Sequence, residues 1–401
     1  LRGKILWVVA LLCLLMAPTA TVAASTITVN LDGEAISFDE KPVIREAMVF
    51  VPLRTISENL GAQVQWNETT RSITLIKGDV TNALTLDRTE AVKRVDSTGT
   101  SKTITLASPP VLLNGTTFVP LRYIAEGFGA LVDWEERSNG GLVTITSPKK
   151  LTVGSKTVTL GESLQEVRNR LGPADRIDES IYPFQWHVYN KDYASFLMVG
   201  IDDSGTIRGF YTNSKLFRYN DELAYGDLHV TTVKGGGTLF TDKYEQNKVH
   251  AILVTVGRLD SNKFVDKPEV HRANELENWD ATNAFRFNYG LRPLGYDETA
   301  AITARGHSQD MADQNYFEHT GLDGRSPWDR YKDNKGPYFG SGENISAGRI
   351  SGIESFNGWL NSEGHRNNML SENHTRFGVG TGYNPKSKYR YYYTQFFSSG
   401  D

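Results

Sequence analysis

Tyr316-Phe317-Glu318-His319-Thr320, Asp323-Gly324-Arg325-Ser326-Pro327, Gly342-Glu343-Asn344-Ile345 and Gly364-His365-Arg366-Asn367-Asn368-Met369-Leu370 are separate fragments of the last third of the chain that read as one pocket. A Gly-rich strand, Phe377-Gly378-Val379-Gly380, follows them. His319, Glu343 and His365 recur at nearly even intervals. Two imidazoles and a carboxylate are the usual makings of a divalent-metal site or a general-base site. No single fragment is specific; their order and spacing together are.

From about Pro268 to Phe397 the sequence resembles the CAP superfamily, also called SCP-like extracellular proteins, which includes cysteine-rich secretory proteins, antigen-five allergens and plant pathogenesis-related proteins. Asn283, Arg286, Gly290-Leu291-Arg292-Pro293-Leu294 and Asp297 resemble the opening helix and turn of bacterial members. Ala304 and His307-Ser308-Gln309-Asp310-Met311-Ala312 resemble the second helix. The resemblance places His319, Glu343 and His365 at three of the four cavity positions. The fourth is normally a Glu three residues after a helical Trp. Here Trp359 is followed at that spacing by Ser362, with Glu363 one place later. The fold implied is an α-β-α sandwich. The activities linked to the family are proteolysis, sterol or lipid binding and signalling, and a fold does not choose among them.

Residue chemistry leaves two readings of the cavity open. Neutral imidazoles bind zinc well, and a metal-bound water becomes a nucleophile near neutral pH. Glu343 would then orient one imidazole or act as a base. Alternatively His319, Glu343 and Asn344 form a hydrogen-bond network that locks loops. Glu363 reads as a solvated charge beside a helix end. His307 reads as a packed or capping histidine, and Arg325 and Arg330 as donors pinning loops around a helix opened by Ser326-Pro327. Asn367 and Asn368 read as caps of backbone groups. Gln395 is placed to reach the cavity floor, and Tyr391-Tyr392-Tyr393 and Phe396-Phe397 read as strand faces. There is no serine nucleophile elbow and no His-Glu-X-X-His helix, so hydrolysis would be metal-assisted or driven by a general base.

The chain has 401 residues, enough for two to four domains. Leu1-Arg2-Gly3-Lys4, the apolar run Ile5 to Met16 and the small residues Ala17 to Ala24 read as a secretory signal peptide. The single cysteine, Cys13, lies inside that run, so the mature chain is expected to have neither disulfide nor thiol nucleophile. A secreted, cysteine-free, multidomain protein fits a Gram-positive bacterium. The formal net charge of −4 gives no reason to expect a nucleic-acid partner. No second long apolar run and no wall-sorting tail is seen. Release, or attachment to the wall through one of the chain's own domains, is expected.

An internal repeat follows the leader. Phe50-Val51-Pro52-Leu53-Arg54 recurs as Phe118-Val119-Pro120-Leu121-Arg122, and Pro42, Trp66 and Gly61 recur as Pro110, Trp134 and Gly129. Each unit reads as an extended segment, a helix with Pro in its first turn, a Gly stop and a hairpin. The Trp positions read as packing positions. This region, Thr26 to Ser147, resembles the domain named for the N-terminus of copper amine oxidases. It contains no histidine, the first in the chain being His187, so no copper is expected there. What remains for it is surface or wall attachment.

The middle region, from Leu151, opens a helix with Ser163 and Glu166 and closes it at Leu171-Gly172-Pro173. Strands are expected at Gln185 to Tyr189, Ala194 to Ile201, Thr206 to Tyr211 and Val249 to Val256. It resembles the small domain that precedes the CAP domain in some bacterial proteins. His187, His229 and His250 read as structural, and Gly235-Gly236-Gly237 as a turn. In the last region, helices are expected from Val270 and over Thr299 to Asp313, with Ile302 and Met311 facing inward.

The sequence therefore predicts a multidomain α+β protein: leader 1–24, duplicated module 25–148, CAP-associated α+β domain 149–262 and CAP domain 263–401. The function expected is that of a secreted protein binding a peptide, lipid or wall component at the cell surface through a His/Glu cavity able to hold a divalent metal such as zinc. A metal-assisted peptidase-like hydrolase and a structural envelope or spore-coat component are the alternatives. The mature chain is expected to have no transmembrane segment.

Overall fold

The computed structural model describes residues 26–400 except 229, 231, 234–235 and 258–265. Residues 1–25, which include the expected leader, and His229 and Gly235 lie outside the described residues. Among those residues no helix is long and apolar enough to cross a membrane.

In the first module the repeat folds as two equivalent units. Strands Met48–Pro52 and Thr116–Pro120 pair antiparallel, Val51 opposite Val119, at the centre of a four-stranded sheet. Each runs directly into a short helix, α1 (Leu53–Asn59) or α2 (Leu121–Gly127). Pro52 and Pro120 stand one residue earlier than the sequence suggests. They are the last residues of the strands and N-cap the helices, with extended ψ of 120° and 114°. Gly61 and Gly129 end the helices at φ +75° and +79°, a left-handed conformation that side chains with a Cβ resist. Hairpins follow at Gln63–Asn67 with Ser72–Lys77 and at Leu131–Arg137 with Gly140–Thr146. Trp66 and Trp134 do not pack into the core: they stay 49% and 41% exposed. The core is already filled by aliphatic side chains such as Ile56, Ile73, Leu75, Ile124 and Ile145. Trp134 instead lies across Gly141, where a Cβ would meet its ring at 1.8 Å.

In the middle domain, helix α3 (Leu164–Leu171) begins with the expected capping box, Ser163 and Glu166 satisfying each other's backbone N–H. It accompanies a six-stranded antiparallel sheet from Arg176–Asp178 to Lys248–Thr255 and Thr238–Asp242. Its central strands are buried on both faces, so period-two alternation sorts side chains between two cores. Leu197, Val199, Phe210 and Ile252 pack within the domain. Trp186, Met198, Tyr211 and Ala251 pack in one cluster with Ala281, Phe285 and Phe356 of the following domain. The seam is closed by polar contacts. Asp280, fully buried, accepts from Arg176 Nη2 at 2.6 Å, Asn190 Nδ2 at 2.8 Å and Tyr193 Oη at 2.8 Å. Arg366 Nη2 donates to buried Asp242 at 2.9 Å.

The last domain is an α-β-α sandwich. Its sheet runs Gly295–Tyr296, Arg376–Tyr383, Tyr391–Ser399, Phe339–Ala347. Helix α4 (Pro268–Asn288), with α7 (Gly352–Leu360) and α8 (Glu363–Leu370), covers one face; α5 (Glu298–Gln314) and α6 (Pro327–Asp333) cover the other. The glycine strand sets how closely α5 can approach. A Cβ on Gly378, Gly380 or Gly382 would fall 2.1, 2.0 or 2.2 Å from the backbone of Ala301, Arg305 or Ser308. Only small residues fit on the facing side of α5, so Ala300, Ala301, Ala304 and Ser308 turn inward with Met311. Ile302, expected inward, is 49% exposed. The aromatic run Tyr391 to Tyr393 with Phe396 and Phe397 is buried as strand faces.

Candidate functional site

Strand Phe339–Ala347 lies at the sheet edge, and consecutive residues of a strand face opposite ways. Glu343 therefore faces the α5 side, and Asn344 the α4 and α8 side. Glu343 is 9% exposed, and both of its oxygens are used. Oε1 accepts from His319 Nδ1 at 2.9 Å, and Oε2 accepts from Arg330 Nη2 on α6 at 2.8 Å. Arg330 is itself 8% exposed, and its Nη1 donates to the carbonyls of His319 and Arg325 at 3.0 Å each. The guanidinium thus fixes the loop carrying His319 and supplies Glu343 with a counter-charge.

His319 follows the left-handed Asn315 that ends α5, and its side chain is half exposed. Donation from Nδ1 to Glu343 fixes the proton on that nitrogen. In the neutral ring Nε2 then carries the free lone pair, as in carboxylate–histidine–metal arrangements. His365 sits on α8, its ring 6.4 Å from Trp359. Burial first, and the neighbouring His319 second, push its pKa below the ordinary histidine value. His365 is anchored through its backbone, since Asn344 Nδ2 donates to its carbonyl at 3.1 Å. Asn344 Nδ2 also donates to Gln395 Oε1, and Gln395 Nε2 reaches Asn278 and Thr282 on α4. Gln395 is thus a buried strut beneath His365. Asn368 Nδ2 ties to the Glu343 carbonyl and to Asn344 Oδ1.

The carboxylate touches one of the two imidazoles, His319. Glu363 is exposed at the start of α8. His307 is buried on α5, its Nε2 bonded to the Glu318 carbonyl at 3.0 Å and 3.9 Å from Glu343 Oε1. Burial lowers its pKa, which keeps it a neutral wall of the site. Arg325 binds Asp323 and Asp333 on the surface. Among the described residues no three His, Cys, Asp or Glu side chains converge as a metal-ligand group. Arg330 as the ionic partner of Glu343 was not read from the sequence, where it appeared only as a loop-pinning donor. The only local signal is its position just inside the Ser326-Pro327 helix start.

Comparison with known proteins divides the chain as the fold does. Residues 30–144 match the copper amine oxidase N-terminal domain, residues 160–234 the CAP-associated N-terminal domain, and residues 279–397 the cysteine-rich secretory protein family. The uncharacterized membrane protein YlbC of Bacillus subtilis (strain 168) is 29% identical over 290 residues, spanning 59% of this chain and 82% of that protein. YkwD of the same strain is 42% identical over 120 residues, 30% of this chain and 47% of that one. A protein of Brevibacillus choshinensis named as a protease inhibitor is 33% identical over 106 residues, 25% of this chain and 29% of that one. An extracellular SCP-domain protein of Bacillus anthracis has a similar solved fold, with TM-score 0.50 at 24% identity over 60% of this chain and 94% of that chain.

Proposed function

Because residues 279–397 form a CAP domain, we propose that the chain works outside the cell, where this domain binds a ligand or partner through the cavity of His319, Glu343 and His365. The observation that carries the reading is the chain Arg330–Glu343–His319. In the neutral ring it fixes the Nδ1–H tautomer and leaves the Nε2 lone pair available on a half-exposed side chain. A network serving only to lock loops has no need to hold a half-exposed imidazole in that state.

The donor set suits a loosely held divalent cation. His319 Nε2 and His365 would hold it, with Glu343 orienting the His319 ring, since among the described residues no three such side chains converge as a ligand group. Two imidazoles are one donor short of the three protein ligands usual in catalytic zinc sites. A bound cation would supply Lewis-acid attraction for an anionic or carbonyl group of the ligand. Meanwhile His319 is oriented by Glu343, and His365 is kept neutral by burial. Binding is therefore favoured over hydrolysis as the activity of this cavity.

The test is calorimetric titration of the full chain with zinc chloride, beside His319→Ala, His365→Ala and the double variant. One saturable site in the parent that each variant weakens supports the reading. Equal heats in all four proteins, with each variant folded by circular dichroism, would overturn it.

A further inference from the structure

Helix α8 carries His365 in its first turn, and that turn is gripped from another domain. Its N-cap, Ser362, makes no side-chain hydrogen bond to the open backbone N–H groups of the helix start. The N-caps of α6 and α7, Ser326 and Ser351, each make one. The start of α8 is tied instead to one short segment of the middle domain, Thr241 to Lys243. The Asn361 amide, just ahead of the helix, uses both ends there. Its Nδ2 donates to the Thr241 carbonyl at 2.9 Å, and its Oδ1 accepts from the Lys243 N–H at 2.9 Å. Between those two residues, Asp242 Oδ2 accepts from Arg366 Nη2 at 2.9 Å.

Arg366 follows His365 directly, so any shift of one is passed to the other through a single peptide bond. Arg366 is 7% exposed and Asp242 1%. The guanidinium also donates to Tyr289 Oη at 2.6 Å and to the Leu360 carbonyl at 3.3 Å. It lies 5.2, 5.0 and 5.2 Å from the ring centres of Tyr244, Phe285 and Tyr289. Among the described residues, Asp242 is the carboxylate that pairs with it. Asp242 is itself fixed, since its Oδ1 accepts from the Tyr244 N–H at 3.0 Å. The strand that delivers it is bulged between Phe240 and Thr241, a device that re-aims nearby side chains.

We propose that Asp242 is a positioning residue for the cavity: through Arg366, the middle domain sets where His365 stands relative to His319. This rests on the reading of His319 and His365 as one site. The physical reason is the small tolerance of such a site. Imidazole nitrogens must come within about 2.0–2.1 Å of a shared ion, and a binding constellation tolerates about 0.5 Å of displacement. Without Asp242 the buried guanidinium has no counter-charge and turns toward a new acceptor or solvent. The turn bearing His365 moves with it. His319 is held within the CAP domain by Glu343 and Arg330 and does not depend on this tie.

The experiment records nitrogen-15 and proton spectra of the imidazoles in the full chain without metal, then titrates zinc chloride calorimetrically. Asp242→Asn should shift the ring signals of His365, which lies 6.4 Å from the Trp359 ring, and leave those of His319 in place. It should weaken zinc about tenfold, the low end for losing a group that orients a ligating histidine. Arg366→Gln should do the same, and the double variant should bind no more weakly than either single one, because the two act as one link. Asn361→Ala, which leaves every charge paired, should move the same His365 signals and decides the matter if Asp242→Asn does not fold. Asp178→Asn breaks another buried ion pair of the same seam, to Arg176 at 2.7 Å, and should change neither readout. Unmoved His365 signals in folded Asp242→Asn, or in Asn361→Ala where that variant does not fold, would overturn the proposal. So would an equal shift in Asp178→Asn, or additive losses in the double variant. If the parent binds no zinc, the cavity reading falls, and the metal-free His365 signals still decide this proposal.

Discussion

Replacing Glu343 by Gln keeps the volume of the side chain and removes its charge, which separates the electrostatic role of this residue from its packing. In the parent, its two oxygens accept from Arg330 at 2.8 Å and from His319 at 2.9 Å. An amide has one acceptor oxygen. The guanidinium cannot accept a hydrogen bond, so that oxygen must turn to Arg330. The amide NH₂ then faces His319 Nδ1, which has to give up its proton and become an acceptor. The proton moves to Nε2, and the cavity loses its free lone pair. Arg330, 8% exposed, also loses its counter-charge. Breaking a buried pair by removing one partner costs about 3–5 kcal/mol, and the hydrogen bond kept by the amide favours the lower end. For a folding unit of this size about 3 kcal/mol lowers the midpoint by roughly 6–12 °C. Nitrogen-15 spectra of the imidazoles read the tautomer, and scanning calorimetry reads the midpoint. A variant that retains the Nδ1–H tautomer of His319 and melts within a degree of the parent would refute the argument.

Three further outcomes follow from the packing and the buried histidines. Gly380→Ala should destabilise the CAP domain by about 3 kcal/mol or prevent its folding, because the new Cβ would lie 2.0 Å from the Arg305 backbone nitrogen of α5; Gly364→Ala, with open space around it, should melt at or above the parent temperature. Buried His250 packs against Phe356 across the domain seam, and burial lowers its pKa from 6.5 to about 4. The unfolded chain therefore binds this proton more readily, so stability is full above pH 6.5 and falls as pH drops toward 4, by roughly 3 kcal/mol from this residue; His250→Gln should shrink the gap between midpoints measured at pH 7 and pH 4.5. Asp280→Ala should lower the melting temperatures of the middle and CAP domains together, since it leaves Arg176, Asn190 and Tyr193 without their shared buried acceptor; an unchanged calorimetric trace would contradict a seam held by that carboxylate.

Much of the architecture was legible where it depends on local chemistry. The repeated Val-Pro-Leu-Arg segments appear as paired strands entering helices, and the Ser163–Glu166 cap is where the sequence puts it. Ile302 was misread because a helical apolar pattern was assumed to point bulky residues inward. Glycine at every second position from Gly378 to Gly382 carried the opposite message, that the covering helix must present small residues. The seam between the last two domains was half legible. Leu197-Met198-Val199-Gly200-Ile201 is an unbroken apolar run, the mark of a strand buried on both faces, yet nothing local says that α4 and α7 supply the second cover. Likewise the His319, Glu343 and His365 positions are visible as motifs, but the ionic role of Arg330 arises only when α6 folds over the sheet edge.

The central claim is that His319 and His365 act as one site. It is tested most directly by following both imidazoles by nitrogen-15 resonance while zinc chloride is added to the full chain at pH 7.5 and again at pH 5.5. The account predicts that the Nε2 signal of His319 and a ring signal of His365 move together on one saturation curve at pH 7.5. Affinity should fall at pH 5.5, because imidazoles must be unprotonated to bind a metal. Movement of one ring alone, or of neither, while the protein stays folded would contradict it.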